Sequence, residues 1–291
     1  MKSFKRLWRN LAFRIGMVTL AVLVFVALAA PWLGTVDPAV LDYNHINKPA
    51  GERVDFTIPG GETVAHTLWM GTDAYGRDIY SRVVYGTRIS LLVALFAALI
   101  SVVAGTFMGV ASGFFRRMDP VIMRTMDGLM AFPPILLAIA LVAALGAQLW
   151  TVIVAISIPE IPRVVRLVRS LVLTLREEPF VEAAIALATP TGTILWRHIV
   201  PNAFAPLIVQ GTFIAASAVL TEAALSFLGL GLPPDIPTWG NIMAEGRVQF
   251  SQYPGNVLFP ALFLVPTILA INLLGDGMRD VLDPKFSKKL P

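Results

Sequence analysis

The chain has 291 residues, of which 56% are hydrophobic and only 14% charged, with a mean hydropathy of +0.72 and a formal net charge of +4. Soluble domains average roughly 45–50% apolar and about 25% charged residues, so disorder and most soluble folds are excluded. With no cysteine, neither a disulfide framework nor a Cys-ligated zinc or iron–sulfur site can form.

A helix needs about 20 apolar residues to cross the ~30 Å hydrocarbon core of a bilayer, and several runs qualify. The first, Ile15 to Leu33, follows a basic head containing Lys2, Lys5, Arg6, Arg9 and Arg14. Ala27-Leu28-Ala29 looks like a cleavage site, but the run exceeds the roughly 7–15 residues of a signal-peptide core and further spans follow. It reads as an uncleaved anchor with its N-terminus inside. From Gly34 to Arg88 turn formers dominate, among them Asp37-Pro38, Lys48-Pro49 and Pro59-Gly60-Gly61. They predict an outer segment of loops and short strands.

Ile89 to Phe115 is uncharged, contains a Gly105/Gly109 pair that lets another helix approach closely, and ends at Arg116-Arg117, which places that end inside. Gly128 to Pro159 is too long for one crossing and slightly short for two. Arg124 before it and Arg163, Arg166 and Arg169 after it put both ends inside, so the chain crosses twice, over Val121 to Leu145 and Leu149 to Val165. Gly146-Ala147-Gln148 is the outer turn. Asp127 and Glu160 then sit at span edges and need partners, Arg124 or Arg163. A fifth span covers Ala203 to Leu228 and a sixth Val257 to Gly275, separated by a Pro/Gly-rich outer loop. On this topology 17 of the 23 Lys and Arg residues lie inside. The fold class is an all-α polytopic membrane protein of about six transmembrane helices with both termini cytoplasmic. It divides into a head and anchor over 1–33, an extracytoplasmic segment over 34–88, and a five-helix core over 89–291.

The inner loop within that core, 170–202, is more than a connector. Glu177-Glu178-Pro179-Phe180 is a helix start, because proline suits the first turn and Glu177, Glu178 and Glu182 complement the positive end of the macrodipole. Phe180, Val181, Ala184, Ile185, Leu187 and Ala188 then form one apolar stripe, and Ala183, Ala184, Ala186 and Ala188 keep the helix slim enough to enter a groove. Thr189-Pro190-Thr191-Gly192 ends it, and a second short helix runs from Thr193 to Ile199. The residues alone allow two readings: a protein-docking helix, or an amphipathic helix lying in the headgroup region and anchored by Arg176 and Arg197.

Glu182-Ala183-Ala184, Ala188 and Ile199-Val200-Pro201 resemble the EAA loop of ABC-importer permeases, where Glu-Ala-Ala precedes a glycine, a spacer and a hydrophobic-Leu-Pro ending. Gly71-Thr72-Asp73, Gly76-Arg77-Asp78, Gly86-Thr87-Arg88, Glu222-Ala223-Ala224-Leu225-Ser226 and Pro237-Thr238-Trp239-Gly240 resemble blocks of the dipeptide, oligopeptide and nickel permeases, in the family's order. The resemblance implies that Pro179, Phe180, Glu182, Ala183, Ala184, Ala188, Ile199, Val200 and Pro201 belong to a cytoplasmic coupling helix and loop seated on an ATP-binding subunit. It also implies two such subunits carrying ATP and magnesium, a second homologous permease, an extracytoplasmic solute-binding protein, lipid surroundings, no nucleic acid, and a prokaryotic inner membrane. Two positions depart from the pattern. Ala188 stands for the usual glycine and Val200 for the usual leucine. Alanine is the better helix former by roughly 0.8–1.0 kcal/mol, so the helix is expected to continue past Ala188.

Glu222 is the one charge between Asn202 and Pro234, and a carboxylate there must face protein or an aqueous path. It is either a pathway residue or gate, or an internally hydrogen-bonded group. Arg77, Asp78, Arg82 and Arg88 read as intramolecular ion pairs or as contacts to a docking partner. His45, His66 and His198 are too scattered for a metal site. There is no phosphate-binding Gly-Lys-Ser/Thr loop, and no lysine follows a glycine, so no catalytic residues and no cofactor are assigned to this chain and energy must come from a partner. A secondary transporter would show inverted repeats and midplane charges, and an intramembrane hydrolase would need a nucleophile beside a base. Neither pattern stands out.

Overall fold

The computed structural model describes residues 7–58 and 61–282. Lys2, Lys5 and Arg6 of the basic head, Pro59-Gly60 and the tail lysines 285, 288 and 289 lie outside them. Helix α1 (Leu11–Ala29) begins where the Asn10 side chain accepts a hydrogen bond from the Phe13 N–H at 3.1 Å. An antiparallel hairpin follows, β1 (Glu52–Thr57) and β2 (Thr63–Leu68), pairing Glu52 with Leu68 and Thr57 with Thr63. The segment 34–88 is thus strand and loop as its turn formers predict, and the fold is mostly, not purely, helical. Phe56 and Leu68 seal the hairpin against Val36 and Val40.

Helix α2 (Ile79–Phe114) starts ten residues before the predicted span, at Asp78, whose carboxylate accepts from the Ser81 N–H at 2.8 Å. The early start carries Arg82 and Arg88, whose charges hid it in the hydropathy pattern. The predicted third span is two helices, α3 (Asp119–Met130) and α4 (Pro134–Leu145), meeting at 90°. The break falls at Pro133-Pro134, where the missing N–H groups and ring sterics end a helix. Gly146, at φ +89°, makes the predicted turn. Helix α5 (Leu149–Arg176) continues eleven residues beyond the predicted span. Helix α6 (Pro179–Ala186) lies in the loop 170–202, followed by a short helix (Thr191–Ile194) and a wide π-helical turn (Leu195–Ile199) that runs into α7 (Val200–Phe227). Helices α8 (Trp239–Gly246) and α9 (Gly255–Leu282) complete the chain.

Helices α1, α2, α7 and α9 are long and apolar enough to cross a membrane, and the bent α3/α4 pair makes a fifth crossing if it counts as one span. Two clusters form the bundle interior. Val93, Ala97, Val152, Ile153, Ile156 and Ala218 join α2, α5 and α7. Val83, Ala94, Val219, Trp239 and Ile271 join α2, α7, α8 and α9.

Candidate functional site

The loop 170–202 is fixed to the bundle by an arrangement visible in two residue spacings. Gly105, Gly109 and Gly113 recur every fourth residue on α2, and Val164, Val168 and Val172 every fourth residue on α5. A Cβ added to Gly109 would lie 2.6 Å from the Val168 Cβ, and one on Gly113 2.7 Å from the Val172 Cβ. The absence of side chains lets the helices meet at backbone distance. On its other side α5 presents arginines to α3. Arg169 grips Asp119 with two hydrogen bonds of 2.6 and 2.7 Å, Arg166 reaches Asp127 at 2.6 Å, and Ser112 of α2 donates to the same Asp119. A bidentate guanidinium–carboxylate pair fixes orientation as well as distance. Glu160 pairs with Arg163 at 3.1 Å, as expected, and accepts from Ser217 of α7 at 3.1 Å. The partner of Asp127 is Arg166; the expected Arg124 is not.

Below this rod sits α6. Pro179 supplies the first turn, and Val181 and Ala184 point inward, packed with Val168, Val172, Ile194, Ile199 and Ala203 in one cluster. Phe180, Glu182, Ala183 and Leu187 face away from the bundle, Leu187 with 81% of its surface exposed. The single stripe expected from the sequence is therefore divided: two of its residues anchor the helix to this chain, while Phe180, Ile185 and Leu187 present an apolar outer face. Phe180 lies 6.1 Å from the His198 ring, which ties α6 to the π-helical turn.

The helix does not continue through Ala188. Ala188 takes φ +55°, and its N–H bonds the Ile185 carbonyl at 2.9 Å while the Thr189 N–H bonds the Ala184 carbonyl at 3.0 Å. These are the two hydrogen bonds of a Schellman C-cap, whose left-handed position normally carries glycine. Alanine occupies it at a conformational cost. Beyond it Ile199 is buried, while Val200 is half-buried and Pro201 exposed.

At the opposite end, Asp73, Arg77, Arg82 and Glu245 form a network. Arg77 Nε bonds Asp73 at 2.6 Å and its Nη2 reaches Glu245, while Arg82, 0% exposed, lies 3.3 Å from Glu245 and from the Pro234 carbonyl. Glu245 lies outside the membrane-spanning helices, and burial pushes its carboxyl above the ordinary range while Arg82 and Arg77 pull it back in part. Arg88 donates to the Ala27 and Leu28 carbonyls of α1. The sequence singles out these arginines and the block containing Asp73 but not Glu245, because nothing local marks Glu245 as their partner 163 and more positions away.

Glu222 is 1% exposed, against the start of α8, where Gly240 packs on Ala223 and Ser226. Its Oε1 accepts from Ser226 Oγ at 2.8 Å, and its Oε2 has no hydrogen-bond partner among the described residues. Glu222 and the coupling loop lie at different ends of α7.

The profile of binding-protein-dependent transport system inner membrane components matches residues 101–288, and that of the N-terminal transmembrane domain of oligopeptide transport permease C matches residues 2–50. With those matches the chain belongs to the family of inner-membrane permease components of binding-protein-dependent ABC transporters. It is 44% identical, over 97% of its length and 90% of the relative's, to a protein of Brucella abortus named as a peptide transport system permease. It is 40% identical to a dipeptide transport system permease of Alkalihalophilus pseudofirmus, covering 98% and 90% of the two chains. Identity to a glutathione transport system permease of Pectobacterium atrosepticum is 38%, covering 97% and 91%. Among solved structures, an inward-facing MetNI methionine ABC transporter matches with a TM-score of 0.56 at 19% identity, over 70% of this chain and 98% of that one. That likeness concerns the fold.

Proposed function

We propose that this chain forms half of the translocation pathway of an ATP-driven importer of small peptides or related solutes, such as glutathione, and works by alternating access. The other half is a second, homologous permease, two ATP-binding subunits holding ATP and magnesium supply the energy, and an extracytoplasmic binding protein delivers the solute. The observation that carries the reading is the divided α6. One side is built into the bundle through Val181 and Ala184, and the other offers Phe180, Ala183 and Leu187 to a partner. Such a helix transmits a push, because the cluster that holds it includes the α5 valines locked against the α2 glycines.

Six crossings with both termini and α6 on the cytoplasmic side fit this reading. Helix α5 has 28 residues, about 42 Å at 1.5 Å per residue, and its charges have partners in Asp119, Asp127 and Glu160. The excess of Lys and Arg on the proposed inner side supports the same direction. The names of the relatives support peptides as cargo. Glu222 is the gate candidate: it is sealed between α7 and α8 here, so an outward opening would loosen α8. Glu222→Gln should then abolish import while membrane insertion stays normal; retained import would leave Glu222 a packing residue only.

The coupling reading is tested by co-purification. Ala183→Arg places a charge on the outer face and should strip the ATP-binding subunits from an otherwise inserted permease. An undiminished complex would refute it. Ala184→Arg is the wrong variant for this purpose, because Ala184 packs inside its own chain.

A further inference from the structure

Helix α1 is tied to the bundle along α9 and at its end by Arg88, with Phe13 against Gly277 as one of the ties to α9. Near its start Gly16 lies against Ala270 and Leu274 of α9, and near its end Arg88 holds the Ala27 and Leu28 carbonyls. Between and below these ties α1 and α2 part, leaving a groove of about 840 Å³ floored by α7 and α9. Its walls are almost wholly apolar, with Val24 of α1, Leu99 and Phe107 of α2 and Phe204 of α7 exposed along it. Toward the C-terminal end of α2 the lining reaches Phe115, and Trp196 of the π-helical turn lines the groove beside Phe107. Arg116 and Arg117 follow Phe115 directly, and Arg197 follows Trp196. All three are exposed, and among the described residues none has an acidic partner, unlike Arg163, Arg166 and Arg169 on α5. Trp196 stands edge-on to Phe107 at 6.1 Å and is 62% exposed.

We propose that this groove is a binding site for an anionic phospholipid, with its acyl chains along α2 and its headgroup held by Arg116, Arg117 and Arg197. An apolar slot by itself would accept any lipid tail or a partner's helix. The charges select the occupant, since exposed arginines that directly follow the lining residues Phe115 and Trp196 complement a phosphate headgroup, whereas a helix carrying only apolar side chains would leave them uncompensated. An amphipathic tryptophan bordering the groove suits the boundary between tails and headgroups.

The test uses the assembled transporter in bilayers of phosphatidylcholine with a minority of phosphatidylglycerol, extracted gently and weighed by native mass spectrometry. Phosphatidylglycerol should be retained several-fold above its share of the bilayer, and the triple variant Arg116→Gln, Arg117→Gln, Arg197→Gln should return retention to the bulk ratio. Enrichment that survives the triple variant overturns the proposal. If that variant does not assemble, Gly211→Leu serves in its place. A Cβ at Gly211 meets only Val102 Cγ2, at 3.5 Å, so the longer side chain fills the groove with the arginines intact, and unchanged lipid retention would again overturn the site. A photo-crosslinking residue at Val103 should capture lipid; capture of the second permease would show that a helix covers the groove and would equally refute the proposal. None of these readouts depends on coupling to ATP, so their failure leaves the function of α6 untouched.

Discussion

Ala188 ends the coupling helix in a conformation that disfavours it. A left-handed residue with a Cβ costs roughly 1–2 kcal/mol relative to a right-handed one, and glycine escapes that penalty. The expected outcome of Ala188→Gly is therefore an unchanged loop with a gain of about 1 kcal/mol, read as a higher unfolding temperature of the purified complex. Ala188→Val should do the reverse, because a β-branched residue tolerates positive φ still less well. Propensity at position 188 alone could not disclose this: it favours alanine over glycine and so predicted a longer helix, whereas the stop is set by the residues just beyond it. Pro190 follows two residues later and cannot continue the helix, and the Ala184 and Ile185 carbonyls find the N–H groups of Thr189 and Ala188 instead.

At the scale of elements, the membrane helices were legible wherever burial and apolarity coincide. Gly105 and Gly109 announced a close helix contact, but the sequence did not name the partner, which the structure shows to be Val164, Val168 and Val172 of α5, nor the third glycine, Gly113. Illegible were the ends. Helix α2 begins at Ile79 and α5 runs on to Arg176 because Arg82, Arg166 and Arg169 find acids far away in sequence, and a charged run reads as solvent until its partner is known. Gly109→Val should separate α2 from α5 and destabilise the bundle by about 1–3 kcal/mol, seen as reduced accumulation and a lower unfolding temperature. Gly128→Ala, with open space around its Cβ, is the matched control and should have little effect. The outer hairpin carries a pH-dependent tie. Burial raises the carboxyl of Asp42, but hydrogen bonds from the Thr57 and Asn44 N–H groups and the neighbouring His45 outweigh it, so its pKa falls below the ordinary 3.8. A depressed carboxyl contributes stability above its unfolded value and loses it as pH falls through the folded one. Proteolysis of the hairpin should accordingly accelerate only below about pH 3.8, and Asp42→Asn should make it fast and independent of pH in that window.

Over the whole molecule, two layers of fixed geometry enclose the membrane helices. The outer one joins Asp73, Arg77, Arg82 and Glu245 across α2 and α8. The inner one joins α6 to α5 and α7 through Val181, Ala184, Val172 and Ala203. A displacement of α6 therefore moves α5 and the start of α7 as a body, and interfaces packed this tightly tend to switch between discrete arrangements. The central claim is that the outward face of α6 is where a nucleotide-hydrolysing partner takes hold. Because the chain has no cysteine, Ala183→Cys carries a unique thiol, and the direct measurement is site-specific cross-linking from it in the intact, transporting assembly. A cross-link to the ATP-binding subunit is expected from position 183 and none from a cysteine at the inward-facing position 181. Modification of Ala183→Cys by a membrane-impermeant thiol reagent applied from the outer side, with no cross-link to that subunit, would contradict it.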